Sequence, residues 1–276
     1  KVLMLDARNV YTKVTRKIYD FSPEQLANLT SIVWLYRGQN ERFLELVESY
    51  QRTALDEAQV SAKSLNSFIG SADGLISKIS NSDDETKSAF ETLCSDCKVF
   101  AESSEKTAAK WEALPSDNKG LHKASQLIEP LAETSRDLIK QIDQLYKFVE
   151  KQAKESGEKG LNKSIKELDE QRKEAVEQLK LIRYFFKQAH WLQERFPNAE
   201  LADVEGLVKL VDIEEIKAND WSLTPGRYVG VAPEEEDEDF DFEETLRDIH
   251  IELKGLNEEA SILAAQIQKN FEELGI

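Results

Sequence analysis

A mainly α-helical fold, a bundle of long helices with a few short strands, is the class that this sequence predicts. Three observations point to it. Helix breakers are scarce, with 11 glycines and 6 prolines in 276 residues, while Leu, Glu, Lys, Ala and Gln are abundant. Apolar residues recur every three or four positions through several long stretches, which is one face of a helix. The last stretch carries a heptad seam. At 40% hydrophobic content the chain can bury a real core, in one domain or two.

From the start of the chain, Val2 to Leu5 is a short apolar run that reads as one buried strand. In a fragment it would have lost its sheet. Ser22-Pro23-Glu24-Gln25 announces a helix: a capping serine, proline at the first helical position where its missing N–H costs nothing, and glutamine three residues after the cap. Leu26, Leu29, Ile32, Val33 and Tyr36 form its stripe, and Gly38 ends it. Asn40-Glu41 begins the next helix, with Phe43, Leu44, Leu46, Val47 and Tyr50 on one face. Gly70 to Asp84, rich in Ser, Gly, Asp and Asn, reads as a loop.

A helix then runs from about Asp84 to Leu114, closed by Pro115. A long helical pattern follows to about Glu155, with a kink or break expected near Glu129 because Pro130 lies inside it. Gly157 to Gly160 separates it from a helix over Asn162 to Phe196, striped by Ile165, Leu168, Val176, Leu179, Ile182, Phe186 and Ala189. Antiparallel packing is the simplest way to bury these faces. After Pro197, Leu207 to Val211 reads as extended, and Asp212-Ile213-Glu214-Glu215 starts a short helix ending near Asn219. Trp221 and Leu223 are expected to pack inward, and Pro225-Gly226 is a turn signal whose glycine can take positive φ.

The terminal seam is formed by Phe242, Leu246, Ile249, Leu253, Leu256, Ala260, Leu263, Ile267, Phe271 and Leu274. This is the a/d repeat of a coiled coil, held for more than four heptads with one slip near Asn270. A lone helix cannot bury such a face, so it needs a partner. The regions divide as 21–196, the long-helix bundle; 197–231, a turn and short-strand region; and 232–276, an acidic linker with the terminal amphipathic helix.

The formal charge of −17 argues against phosphate gripping by the chain as a whole. Between Glu234 and Glu244 acidic residues stand without a single cation, a solvated, self-repelling tether whose alternative role is to meet a basic surface. No apolar run is long enough to cross a bilayer and no leader opens the chain, so a soluble, cytoplasmic protein is expected.

Ser222-Leu223-Thr224-Pro225-Gly226-Arg227-Tyr228-Val229-Gly230, then the acidic run, then a Leu/Ile/Glu-rich helix with Asn257-Glu258-Glu259-Ala260, resembles the C-terminus of the methylation subunit of type I restriction-modification systems. Phe196-Pro197, Asp203 to Val208 and Ile213 to Ile216 resemble the approach to that motif. Val2 to Arg8 resembles the strand and turn late in the family's catalytic domain, which makes 1–20 a remnant of that domain. Asp56 to Lys180 carries no specific resemblance. The resemblance implies an intact subunit that transfers methyl from S-adenosylmethionine to N6 of adenine. It also implies partners, the specificity subunit and, as a further candidate, the restriction subunit, with DNA held by the assembled complex. The chain opens at Lys1 rather than Met, as a part of a longer product would.

That chemistry needs a glycine-rich loop for the methyl donor and an Asn/Asp-Pro-Pro-aromatic motif for the extruded base. Here no two prolines are adjacent and no Gly-x-Gly occurs, so neither catalytic residues nor a cofactor site is expected in this chain. His122, His190 and His250 are far apart and lack metal spacing. Cys94 and Cys97 form a lone Cys-x-x-Cys at helical spacing with Phe90, Leu93 and Phe100, which reads as two reduced thiols beside the core rather than a zinc or redox site.

Lys180, Arg183 and Lys187, interleaved with Tyr184 and Phe185, are the first candidate for DNA contact, and Lys13, Arg16 and Lys17 the second. The bland reading is a helix that buries its aromatics and solvates its cations. Arg227 is expected to make a structural ion pair holding its turn, with a phosphate contact as the alternative. Three function classes follow: a partner-docking part of a DNA methyltransferase, an autonomous enzyme, and a coiled-coil scaffold or adaptor unrelated to methylation. The missing constellations disfavour the second, and the third leaves the Ser222 to Gly230 motif as coincidence.

Overall fold

The computed structural model describes residues 1–13, 18–79, 83–156 and 161–232, together with Leu253, Ala260, Ser261, Leu263 and Ala264. Two compact units are present, Lys1–Val231 and Ala232–Ile276.

In the first unit the strands β1 (Val2–Leu5), β2 (Thr12–Lys13) and β3 (Tyr19–Asp20) precede helices α1 (Pro23–Tyr36), α2 (Asn40–Ile76), α3 (Asp84–Glu112), α4 (Asn118–Glu155) and α5 (Leu161–Arg195), and β4 (Val208–Val211) and α6 (Ile213–Ala218) follow. Local chemistry sets the helix starts. The Ser22 hydroxyl accepts from the Gln25 N–H while the Gln25 side chain accepts from the Ser22 N–H, a complete capping box. Asp83 and Asp117 accept from the N–H groups of Thr86 and Gly120 at 2.8 and 2.7 Å.

The long helices run antiparallel, and polar contacts along them fix the register. Ser64 on α2 meets Gln178 on α5, while Gln51, earlier on α2, reaches Gln193, later on α5, through the Ser125 hydroxyl of α4. Arg183 and Arg172 of α5 pair with Glu133 and Asp143 of α4 in the same opposed sense. With 37, 38 and 35 residues, α2, α4 and α5 are each about 55 Å long at 1.5 Å per residue. Their inner faces, including Phe68, Leu75, Leu93, Phe100, Ile128, Leu138, Ile142 and Leu179, make the larger core. A second core gathers Ile32, Phe43, Val47, Leu192, Phe196 and Val208 where α1, the start of α2, the end of α5 and β4 converge. All seven apolar residues expected to stripe α5 are buried.

Several expectations are corrected. The segment from Gly70 does not open a loop; α2 continues to Ile76. Phe68, Ala72 and Leu75 keep the helical spacing and are fully buried, and that burial outweighs a cost of about 1 kcal/mol for each of Gly70 and Gly74. Nor does Pro130 break α4, which runs through it. Pro130 and Gln126, whose carbonyl loses its N–H partner to the ring, are both exposed, so water can take that bond. Leu26 and Tyr36 stand in solvent; α1 buries Asn28, Leu29, Ser31, Ile32 and Leu35. The Asn28 amide donates to Gln188 and its carbonyl accepts from Tyr50, which draws the face of α1 around to that pair. Gly157 to Gly160 lies outside the described residues.

Candidate functional site

The site that the family-like residues build is a clasp joining the two ends of Lys1–Val231. β1 pairs antiparallel with β4, Val2 opposite Val211 through Leu5 opposite Val208, and the Asp6 N–H donates to the Leu207 carbonyl at 2.8 Å. The first strand therefore has a sheet partner, supplied from about two hundred residues downstream. Asp212 caps α6 through the Glu215 N–H at 2.9 Å, and Lys209 reaches Glu215 at 2.6 Å.

Past α6 the backbone turns through two left-handed residues, Asp220 at φ 56° and Trp221 at φ 57°. The Trp221 N–H closes on the Ile216 carbonyl at 3.0 Å, a Schellman-type helix end that ordinarily favours glycine. This turn corrects the expectation for the next residues: Trp221 is 61% and Leu223 67% exposed, so neither packs inward.

Ser222 to Gly230 then folds over the sheet. Pro225–Arg227 is a single 3₁₀ turn. Tyr228 and Val229 bury against Met4, Val211 and Ile216, the Tyr228 hydroxyl donates to the Ser222 carbonyl at 2.5 Å, and the Val229 carbonyl accepts from Gly206 at 2.6 Å. Gly226 does not take positive φ; Gly230 does, at 76°. Gly226 is needed for closeness instead, because a Cβ there would strike the Arg8 guanidinium and stand 3.1 Å from an Asp6 oxygen.

Asp6 is buried and accepts from the backbone N–H, Nε and Nη2 of Arg8. Those bonds hold its carboxyl below the ordinary carboxylate range in spite of burial. Sequence reading does not find this pair, because an Asp-x-Arg beside a strand is common and its contact with Gly226 spans more than two hundred residues. Arg227 is exposed and makes no ion pair among the described residues, so the expected structural pair is absent there.

The other candidates lie elsewhere. Lys180 pairs with Glu177 of its own helix at 3.1 Å. Arg183 is largely covered and holds Glu133 at 2.9 Å, and Lys187 is half-buried. Cys94 and Cys97 are free thiols on α3; burial pushes Cys97 up to about 12 and raises Cys94, which suppresses thiolate chemistry. His122 contacts the Pro197 carbonyl at 2.8 Å, His190 stands 4.0 Å from Glu194, and His250 lies outside the described residues. Among the described residues no group of His, Cys, Asp and Glu is placed to hold a metal ion, and no helix is long and apolar enough to cross a membrane.

Of the seam, Leu253 and Leu263 are helical and exposed. Phe242, Leu246, Ile249, Leu256, Ile267 and Phe271 lie outside the described residues.

Fold and site together define a mainly α-helical protein: a long-helix bundle whose ends are tied by a two-stranded sheet and a tyrosine-anchored turn. This chain is related to the methylase subunits of type I restriction enzymes. It is 42% identical over 73 residues to the type I restriction enzyme HindI methylase subunit of Haemophilus influenzae. The MjaVIII and MjaIX methylase subunits of Methanocaldococcus jannaschii are 45% identical over 60 residues and 39% over 70. These alignments take in 26, 22 and 25% of this chain and 16, 9 and 12% of the respective relatives. No family model and no solved structure matches the chain.

Proposed function

We propose that this chain is the C-terminal part of a type I methylation subunit and serves to dock it onto the DNA specificity subunit through the helix at 242–276. The observation that carries this reading is the exposure of Leu253 and Leu263, two seam residues on a helix. An a/d ribbon standing in water costs free energy that a partner helix recovers, at roughly 1.5–3 kcal/mol for each large side chain covered, before the costs of ordering and association. The relation to methylase subunits supplies the kind of partner, and the clasp supplies a rigid mount from which the acidic tether leaves.

On this reading the intact protein transfers methyl from S-adenosylmethionine to N6 of adenine, with DNA held by the assembled complex. The residues here do not fit that cofactor. The left-handed glycines Gly38, Gly206 and Gly230 each serve a separate turn, and none belongs to a Gly-x-Gly loop. No step of the transfer is therefore assigned to this chain.

Co-expression with the specificity subunit of the same system tests the docking. Deleting 242–276 should abolish co-purification while leaving the helical circular dichroism of the remainder intact; retained co-purification by the folded truncation overturns the assignment.

A further inference from the structure

The stretch from Ala7 to Tyr19 differs in charge from the rest of the molecule. It carries Arg8, Lys13, Arg16 and Lys17 and no carboxylate, inside a chain of net charge −17. Arg8 is committed to Asp6, which leaves three cations in five residues of sequence.

The stretch is also built as a ribbon. Thr12 pairs with Asp20 and Lys13 with Tyr19 in an antiparallel two-strand sheet, and the rings of Tyr11 and Tyr19 meet edge to face with centroids 4.9 Å apart. Both rings face water, at 47% and 54% exposure, and Ile18 and Phe21 are exposed beside them. None of these four belongs to a core. Aromatic side chains held in register on an exposed ribbon are costly unless something covers them.

The ribbon has a firm base. The Thr12 hydroxyl bonds Gln25 at 3.2 Å, Asp20 accepts from the Phe21 N–H at 2.8 Å, and Ser22 meets the Tyr184 hydroxyl at 3.0 Å. Tyr184 lies on α5 between Lys180 and Lys187, so the ribbon adjoins the other cationic strip of the fold.

We propose that the β2–β3 ribbon is a DNA-contacting element, its cations taking backbone phosphates and Tyr11 and Tyr19 covered against the groove. Charge complementarity selects the ligand. A local run of cations without carboxylates, on a protein that otherwise repels polyanions, fits phosphate, and a two-stranded ribbon matches the width of the major groove. The proposal deepens the function proposed above, which supplies the choice of duplex DNA; the charge and the aromatic exposure stand without it.

The test is fluorescence anisotropy of a labelled 30-base-pair duplex titrated with the 276-residue chain between 50 and 200 mM NaCl. The wild type should bind at the lower salt and weaken steeply as salt rises. Lys13→Glu should weaken binding about tenfold and lower the slope of log affinity against log salt by about one. Tyr11→Ser with Tyr19→Ser should weaken binding about five- to tenfold at unchanged slope. Lys98→Glu, an equal charge change on the exposed side of α3, should leave affinity within about twofold, and all variants should keep the wild-type circular dichroism. Absence of wild-type binding at 50 mM, equal losses for Lys13→Glu and Lys98→Glu, or preference for phosphatidylserine vesicles over duplex overturns the proposal. None of these outcomes touches co-purification through 242–276, so either idea can fail alone.

Discussion

The phenolic hydroxyl of Tyr228 donates to the carbonyl of Ser222 at 2.5 Å, closing the turn that seats Val229 against Met4 and Val211. Replacing Tyr228 by Phe keeps the ring and removes only this bond. The loss should be about 1–2 kcal/mol, from the bond itself and the carbonyl left without it. Hydrogen exchange at Gly206, whose N–H bonds the Val229 carbonyl, should speed up about ten- to thirtyfold, whereas amides of α4 beside Ile142 should not change. Equal acceleration at both places would contradict a locally anchored clasp.

Gly226 and Asp6 communicate through Arg8. A methyl at position 226 would displace the Arg8 guanidinium, which is free to swing because it is largely exposed. Gly226→Ala should therefore cost less than about 1 kcal/mol in stability at pH 7, yet raise the Asp6 pKa toward its ordinary value. The sign follows from linkage. A carboxyl depressed in the folded state contributes stability above its unfolded pKa of about 3.9, lost as pH falls through the lower folded value. Carboxyl-detected NMR titration of Asp6 checks this, and an Asp6 pKa that does not move in Gly226→Ala would show that Arg8 does not hold it.

Much of this architecture was legible from local chemistry, and the exceptions share one cause. The caps at Ser22 and Asp212 and the stripe of α5 are short-range patterns, so they predict their elements well. Gly70, Gly74 and Pro130 read as breaks but lie in helices, because what decides those positions is burial of Phe68, Leu75, Ile128 and Leu131 against neighbouring helices. Trp221 reads as core from its size; its exposure follows from a left-handed turn that sequence does not announce. The Ser222 to Gly230 segment was recognisable as a turn. Its seat on Asp6 and Arg8 was not, because nothing local to either segment encodes a contact between the ends of the fold.

Arg172 bridges Asp143 at 2.6 Å and Asp169 at 2.8 Å and lies over the Tyr146 ring at 5.0 Å. Its guanidinium serves two carboxylates from different helices at once, which a lysine ammonium cannot match in shape. Arg172→Ala should lower stability by about 1–3 kcal/mol by leaving two half-covered carboxylates without it, and Arg172→Lys should recover less than half. Chemical denaturation with matched m-values measures both. Full recovery by lysine would reduce the site to simple charge balance.

With its pKa raised by burial to about 12, Cys97 should hold roughly one thiolate in ten thousand at pH 8. A chromogenic disulfide reagent should label Cys97 in the folded chain only on the timescale of unfolding, and within minutes in guanidinium. Fast labelling of Cys97 in the native protein would contradict its place beside Leu93 and Phe100 in the core.

The central claim is that the terminal seam is covered by helices of another subunit. Calorimetric titration of this chain with the specificity subunit of its own system measures that directly. Leu253→Asp with Leu256→Asp should weaken binding by at least about a hundredfold, since each change removes an apolar contact and buries a charge, while Glu258→Ala on the polar side should stay within about twofold. Wild-type affinity in the double aspartate variant would contradict the claim.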